Sequence, residues 1–269
     1  MRLQLRPFFL FLPLLATAAA HAVEFSGVVR SVTGSLPPAI EVEADQRGGK
    51  PVIVGRIENG RYRIDLPSPG MYRVRLQAPG WEAEPKIVFD PQTTGARDFL
   101  VYPARVPEPE LAAELIRLGE QDQALRKTMP EKPDAAFWKR MEEADRAREA
   151  RLAQIIADKG WPLISQVGHE AANRAWLIAQ HGSSDFLKRC LVLMKAAAAG
   201  GEMTPRHLAL SIDRVLTQDK QKQLYGSQFQ TNEDGKTFLL PVEDFEHIDE
   251  RRAGMGMESF DEYRKNFEK

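Results

Sequence analysis

The period of the apolar residues changes once along this 269-residue chain, and it changes at a proline-rich stretch, Pro103-Ala104-Arg105-Val106-Pro107-Glu108-Pro109. Before it, apolar and polar side chains alternate every second residue; beyond it, apolar residues recur at three and four. A period of two marks one face of a strand and a period near 3.6 marks one stripe of a helix, so two kinds of layer are required. Proline withholds a backbone donor and favours an extended spacer, which makes residues 104–109 a linker. With 43% hydrophobic and 28% charged residues, the chain has the composition of packed domains rather than of disorder.

The N-terminal segment reads as a secretory signal over residues 1–22. Arg2 and Arg6 give the positive end, Phe8–Ala19 the apolar run, and Ala20-His21-Ala22 a small-x-small cleavage site. Spanning a bilayer takes about 20 apolar residues, so this run predicts a cleaved signal rather than a retained anchor. The expected mature start is Val23, and no later apolar stretch is long enough to cross a membrane. The expected location is the periplasm or the medium. Losing the two arginines takes the formal charge from −1 to −3. That balance gives no basic footprint for nucleic acid. Cys190 is the single cysteine and sits among Leu187, Leu191 and Met194, so no internal disulfide forms and a buried, inert thiol is expected.

Between residues 23 and 103, short alternating runs are separated by turn residues. Ile40 and Val42 share a face, as do Tyr62, Ile64 and Leu66, and Tyr72, Val74 and Leu76. Asn59-Gly60 is a strong hairpin signal because both central residues of that turn need a positive φ. Seven strands at this spacing predict a β-sandwich. The run Asn59-Gly60-Arg61-Tyr62, Leu66-Pro67-Ser68-Pro69-Gly70-Met71-Tyr72 and Ala78-Pro79-Gly80-Trp81 resembles the signature of carboxypeptidase regulatory-like domains. That resemblance implies a transthyretin-like sandwich, related to carbohydrate-binding folds, in an accessory role. Alternation places Tyr62 and Tyr72 in the core, leaving Trp81, expected in a loop, as the candidate binding aromatic.

Beyond the linker the pattern predicts helices over about 111–129, 135–159, 167–181, 185–199 and 205–216. Gly160 and Gly200-Gly201 are stops, Ser184 an N-cap, and Thr204-Pro205 a helix start. The charged run Arg140–Arg151 reads as a solvated face with pairs such as Glu142–Arg146. Residues 223–229 and 236–240 predict two strands joined through Asn232–Gly235, with short helices at 245–252 and 260–267. The expected fold is thus multi-domain α and β. A seven-stranded β-sandwich over 23–103 is followed by a mainly α-helical domain with one β-hairpin over 110–269, its core at 160–269. From Gly160-Trp161-Pro162 onward, the motifs Gln180-His181, Gly201-Glu202, Asp213-Arg214, Gln223-Leu224-Tyr225-Gly226-Ser227-Gln228, Pro241-Val242-Glu243-Asp244 and Asp249-Glu250-Arg251-Arg252 resemble an uncharacterised bacterial family, domain of unknown function 6624. The family usually has Gly-Thr-Gln after the tyrosine; here Gly226-Ser227-Gln228 keeps the hydroxyl. The resemblance implies a domain and no activity.

Several polar residues are candidates for chemistry. His181 ends a helix four residues before Asp185, where it serves either as a general base or as a partner of the last helix carbonyls. Glu202 is its expected acid/base partner or a helix cap. Asp213 and Arg214 are adjacent on a helix and point apart; Arg214 either clamps a carboxylate or phosphate or pairs with Glu243 or Asp244. Period two puts Gln223, Tyr225 and Ser227 on one face, with Gln228 beside them. Neutral donors beside an aromatic suit a sugar or peptide. Nucleophile-elbow, zinc-protease, phosphate-loop and dinucleotide motifs are missing, the histidines lack metal-ligand spacing, and no cofactor is expected. Two functions remain open. One is an envelope binding or interaction protein for a glycan, peptide or protein, using Trp81, Asp213, Arg214, Gln223, Tyr225 and Gln228. The other is a hydrolase with His181 and Glu202 as its acid/base pair.

Overall fold

The computed structural model describes residues 22–46, 53–67, 71–83, 85–88, 97–232 and 235–267. Of the expected signal segment only Ala22 falls within these; the rest, like the Ser68-Pro69-Gly70 turn, lies outside the described residues. The strands before the linker are β1 (Ala22–Ser31), β2 (Glu41–Gln46), β3 (Ile53–Val54), β4 (Arg56–Glu58), β5 (Arg61–Pro67), β6 (Tyr72–Gln77), β7 (Trp81–Ala83), β8 (Lys86–Val88) and β9 (Phe99–Pro103). They form two sheets, ordered β4-β5-β1-β9-β7 and β3-β2-β6-β8. Pairing is antiparallel except between β1 and β9.

The alternation decides what is buried. Tyr62, Ile64 and Leu66 of β5 point inward, and Arg63 and Asp65 between them point out. Phe25, Val29, Phe99 and Val101 of the first sheet meet Val42, Ala44, Tyr72 and Val74 of the second in one core. Asn59 and Gly60 turn β4 into β5 at φ 49° and 73°, the geometry their sequence predicts.

Nine strands are described where alternation predicts seven. Residues 52–57, expected as one strand, divide at Gly55: β3 pairs with β2 in one sheet and β4 with β5 in the other. The chain changes sheets there, so close to β5 that a Cβ on Gly55 would lie 2.4 Å from the Arg63 carbonyl oxygen. The second extra strand is β7. Trp81 opens this edge strand instead of sitting in a loop, because Gly80 at φ 76° turns the chain back and Trp81 pairs with Pro103. Its ring is partly buried against the strand core.

The second half contains α1 (Pro109–Lys127), α2 (Ala135–Lys159), α3 (Ile164–Val167), α4 (His169–His181), α5 (Ser184–Ala199), α6 (Pro205–Gln218), β10 (Phe229–Thr231), β11 (Thr237–Leu239), a 3₁₀ turn at Phe245–His247, α7 (Ile248–Gly254) and α8 (Phe260–Arg264). Asp134 caps α2 by accepting from the Phe137 amide at 2.7 Å, and Gly160 ends it at φ 83°. Gly168, at φ 81°, breaks the single helix expected over 167–181 into α3 and α4. Ser183, one residue before the predicted cap, caps α5. The helical core gathers Leu115, Leu152, Ala175, Ile178, Leu187 and Met194. Cys190 is buried in it, and burial pushes its thiol up to about 12, which suits the expected inert residue.

The linker is docked rather than free. Val106 packs on the helical core, the Glu108 amide donates to the Gln166 carbonyl at 3.1 Å, and Lys159 pairs with the Glu108 carboxylate at 2.5 Å. Strand β9 does more. Phe99 and Val101 fill the strand core, while Tyr102, on the opposite face and 1% exposed, belongs to the helical core. Replacing Tyr102 with Ala empties a site in the helical core against which β9 is docked. We expect a loss of about 3–5 kcal/mol in denaturant unfolding. Faster proteolysis within residues 104–108 should accompany it.

Candidate functional site

Three helices bring charge into the interior at one place. On α1, Leu115, Gly119, Asp122 and Arg126 follow one stripe; on α2, Met141, Asp145, Arg148 and Leu152 follow another. Gly119 permits the close approach of α1 and α4, since a Cβ there would lie 2.4 Å from the Arg174 side chain. Asp122 is fully buried. His181, the last residue of α4, places Nδ1 3.1 and 3.0 Å from the two Asp122 oxygens. Arg126 Nε lies 3.0 Å from the same ring nitrogen and 3.3 Å from Asp122 Oδ2. The tautomer therefore decides whether Nδ1 donates to the carboxylate or accepts from the guanidinium. Arg126 Nη2 donates to both Asp145 oxygens at 2.8 and 2.9 Å, and Arg148 Nη2 donates to Asp145 Oδ1 at 2.6 Å.

Burial raises the Asp122 carboxyl, but the His181 contact, the Gln123 amide and the Arg126 charge outweigh it and hold the group below the usual carboxylate range. The network floors an open cleft of about 390 Å³, walled by Trp138, Met141, Glu142, Arg146 and Glu149 and closed by Gly182 and Ser183. Glu149 accepts from the Ser183 amide and hydroxyl at 2.6 and 2.9 Å, which fixes that edge. Trp138 is 52% exposed.

Most of this site escapes the sequence reading. The run Arg140–Arg151 is solvated at the Glu142–Arg146 pair, at 2.5 Å, but Asp145 and Arg148 turn inward. The missed signal is register: both lie on the stripe that carries buried Met141 and Leu152. Asp122 and Arg126 follow Leu115 on α1 in the same way.

Of the predicted site residues, His181 is the one at this cleft. Glu202 is not its partner. Its carboxylate accepts from the Ser165 amide at 2.8 Å and the Ser165 hydroxyl at 2.7 Å, so it caps the start of α3. His181 ends α4, whose 13 residues span about 20 Å, and α3 adjoins the other end. The expected acid/base pair therefore does not converge.

Asp213 is a latch, not a ligand group. Fully buried, it accepts from the amides of Leu224, Tyr225 and Ser227 at 2.8, 3.0 and 3.0 Å. Those amides are consequently not in a ladder, and the strand predicted over 223–229 shrinks to β10, with 223–228 a folded loop. Gln223 is buried and satisfied: Nε2 donates to the Gln228 and Leu240 carbonyls at 2.9 Å each, and Oε1 accepts from the Gln228 amide at 2.8 Å. Gln228 is half-buried, its side-chain Nε2 donating to Ser227 Oγ at 3.1 Å. Tyr225 is half-buried, and burial, then the Asp213 charge, raise its hydroxyl. Its backbone is held on both sides, by Asp213 and by Arg252 Nη1 at 2.5 Å. Arg214 pairs with neither Glu243 nor Asp244. Nη1 donates to the Gln180 carbonyl at 2.7 Å and Nε reaches Gln228 Oε1 at 3.4 Å. Burial, then the charge of Arg126, lowers its pKa.

Asp213→Ala leaves three backbone amides, one buried and two partly buried, without an acceptor, and we expect a loss of about 3 kcal/mol in urea unfolding. Asp122 generates a pH dependence. Its folded pKa is depressed, so its ionised form stabilises the fold fully above the unfolded value of about 3.9, and that contribution is lost as pH falls through the folded value. Asp122→Asn should be less stable at pH 7 and should show a flatter loss of stability below about pH 4 in melts across pH.

The model of a family of unknown function (DUF6624) matches residues 109–269, from the first residue of α1 to the end of the chain. No curated protein and no solved structure matches the chain. The matched segment holds the whole charged network, the cleft and the Asp213 latch. It covers more than half of the sequence, and this chain belongs to that family of unknown function.

Proposed function

We propose that this protein is an exported binding protein of the cell envelope that seats a glycan in the cleft between α2 and the end of α4. The observation that carries the reading is Trp138, a half-exposed indole beside Arg146, Glu142, Glu149 and His181. An apolar ring face next to several fixed donors and acceptors is the chemistry a sugar presents in reverse. The cleft replaces the face expected at Tyr225–Gln228, whose polar groups are largely spent on the fold. Among the described residues no helix is long and apolar enough to cross a membrane.

The export part rests on Arg2, Arg6, the Phe8–Ala19 run and Ala20-His21-Ala22. We read the N-terminal module as a carboxypeptidase regulatory-like sandwich. The Asn59–Trp81 motifs and two sheets facing one core support that reading. A second reading, a hydrolase, is favoured by Asp122 behind His181, since a buried carboxylate at one ring nitrogen orients the imidazole as a general base. In it Asp122 takes the place expected for Glu202.

Titration with β-1,4-linked N-acetylglucosamine oligomers, followed by calorimetry, tests the binding reading. Wild type should saturate, and Trp138→Ala should bind about ten-fold more weakly or worse with an unchanged melting temperature. Equal affinity in that variant, or no binding by wild type, rejects the cleft as a glycan seat. Release of shorter oligomers during the titration would instead support the hydrolase.

A further inference from the structure

The outer face of the first sheet holds a depression of about 710 Å³ across β4, β5 and β1. Strand alternation decides what lines it. Phe25, Tyr62 and Ile64 point into the strand core, so Ser26 of β1, Arg61 and Arg63 of β5, and Arg56 and Glu58 of β4 point out. The register then sets their rows. Arg56 stands directly opposite Arg63, and Arg63 directly opposite Ser26. In the next row Glu58 stands opposite Arg61.

Like charges directly opposite each other on antiparallel strands destabilise the pair, and opposite charges support it. The Glu58–Arg61 row obeys that rule and the Arg56–Arg63 row breaks it. The other acids of the depression do not repair the break. Glu24 takes Nη2 of Arg63 at 2.6 Å. Asp98 accepts from the Val28 amide at 2.9 Å and pairs with Arg30 at 3.4 Å. Among the described residues Arg56 has no carboxylate partner, so the row holds one positive charge in excess. The half-buried Ser26 extends the row with a neutral hydroxyl. Opposed Cβ atoms on neighbouring strands lie about 5 Å apart, which spaces the three side chains evenly over the floor of the depression.

We propose that this face binds a phosphate ester, its phosphate lying between Arg56 and Arg63 with the Ser26 hydroxyl donating to a further oxygen. A tetrahedral oxyanion meets all three donors at once, and guanidinium forks match its oxygens in pairs. It also removes the cost of the like-charge row, which a neutral ligand does not. The volume falls within the range of small-ligand sites, about 300–1,000 Å³, and leaves room beyond the phosphate. That remaining space is walled by Asn59, Glu58 and Arg61, so the body of the ester is hydroxylated rather than apolar. The site lies on the strand module and rests on neither reading of the His181 cleft.

The test is calorimetric titration of the full chain with glycerol 1-phosphate, inorganic phosphate and glycerol, repeated in Arg56→Gln and in Ser26→Ala. One glycerol 1-phosphate should bind per chain, more tightly than inorganic phosphate, with glycerol silent, and affinity should fall as salt is raised. Arg56→Gln should bind about ten-fold more weakly or worse. Its melting temperature without ligand should stay the same or rise, because the substitution relieves the like-charge row; a purely structural arginine would not separate the two readouts in this way. Ser26→Ala should weaken binding with the charges left in place. Vesicles containing phosphatidic acid, in a parallel arm, separate the sources: vesicle binding that glycerol 1-phosphate displaces assigns a lipid head, and no vesicle binding assigns a soluble ester. Unchanged affinity in both variants, or no glycerol 1-phosphate binding by wild type, overturns the site. Inorganic phosphate binding as tightly as the ester overturns the placement of its body.

Discussion

Strand β9 is buried on both faces, and the architecture depends on it. A strand in one sheet of a two-layer module ordinarily gives one face to the core and one to water. Here Phe99 and Val101 complete the strand core while Tyr102 enters the helical core, and Leu100 stands 3.6 Å from where a Cβ would sit on Gly201. The period-two alternation of five residues thus couples two modules whose own periods differ. The proline-rich segment behind it cannot then swing. Its Val106 and Glu108 are already committed to the helices, and what reads as a spacer is a short strap.

The helical module accepts an energetic cost at its centre. Asp122, Arg126, Asp145 and Arg148 remove four charges from water to varying depth, and paired buried charges seldom outdo apolar residues of similar volume for stability alone. What such a network supplies is geometry. Each guanidinium has few allowed poses once both carboxylates are fixed, so the His181 ring is held by two partners and the cleft floor is rigid. An apolar stripe at Asp122 and Asp145 would pack α1 on α2 without placing His181 at all.

Legibility in the sequence follows how local the deciding interaction is. The Asn59-Gly60 hairpin, the inward Tyr62-Ile64-Leu66 face and the limits of α2 depend on neighbours within a few residues, and all could be read directly. Gly55 could not, because only the approach of Arg63 shows that the chain changes sheets there. The strand expected at 223–229 failed for the same reason. Its alternation is real, but Asp213, ten or more residues upstream, captures the amides that a ladder would have used. The candidate site was half visible. His181 was found from its place at a helix end, whereas Asp122, Arg126, Asp145 and Arg148 were hidden in helices whose charges look solvated until their register with buried Leu115 and Leu152 is counted.

The adjacent pair Asp213-Arg214 shows how the family's motifs serve the cleft without lining it. Neighbours on a helix point about 100° apart, so the two side chains act in different directions. Asp213 gathers the 224–227 loop onto α6. Arg214 reaches the other way, to the Gln180 carbonyl one residue before His181, and its Nε touches Gln228 of the same loop. The two bonds tie the loop, α6 and the end of α4 into one unit. Arg214 also lies close enough to Arg126 for their charges to oppose each other, which favours Arg126 turning toward Asp122 and Asp145. Motif residues that read as ligand groups are therefore part of the frame, and the exposed side chains that wall the cleft, Trp138, Glu142 and Arg146, lie outside the motifs.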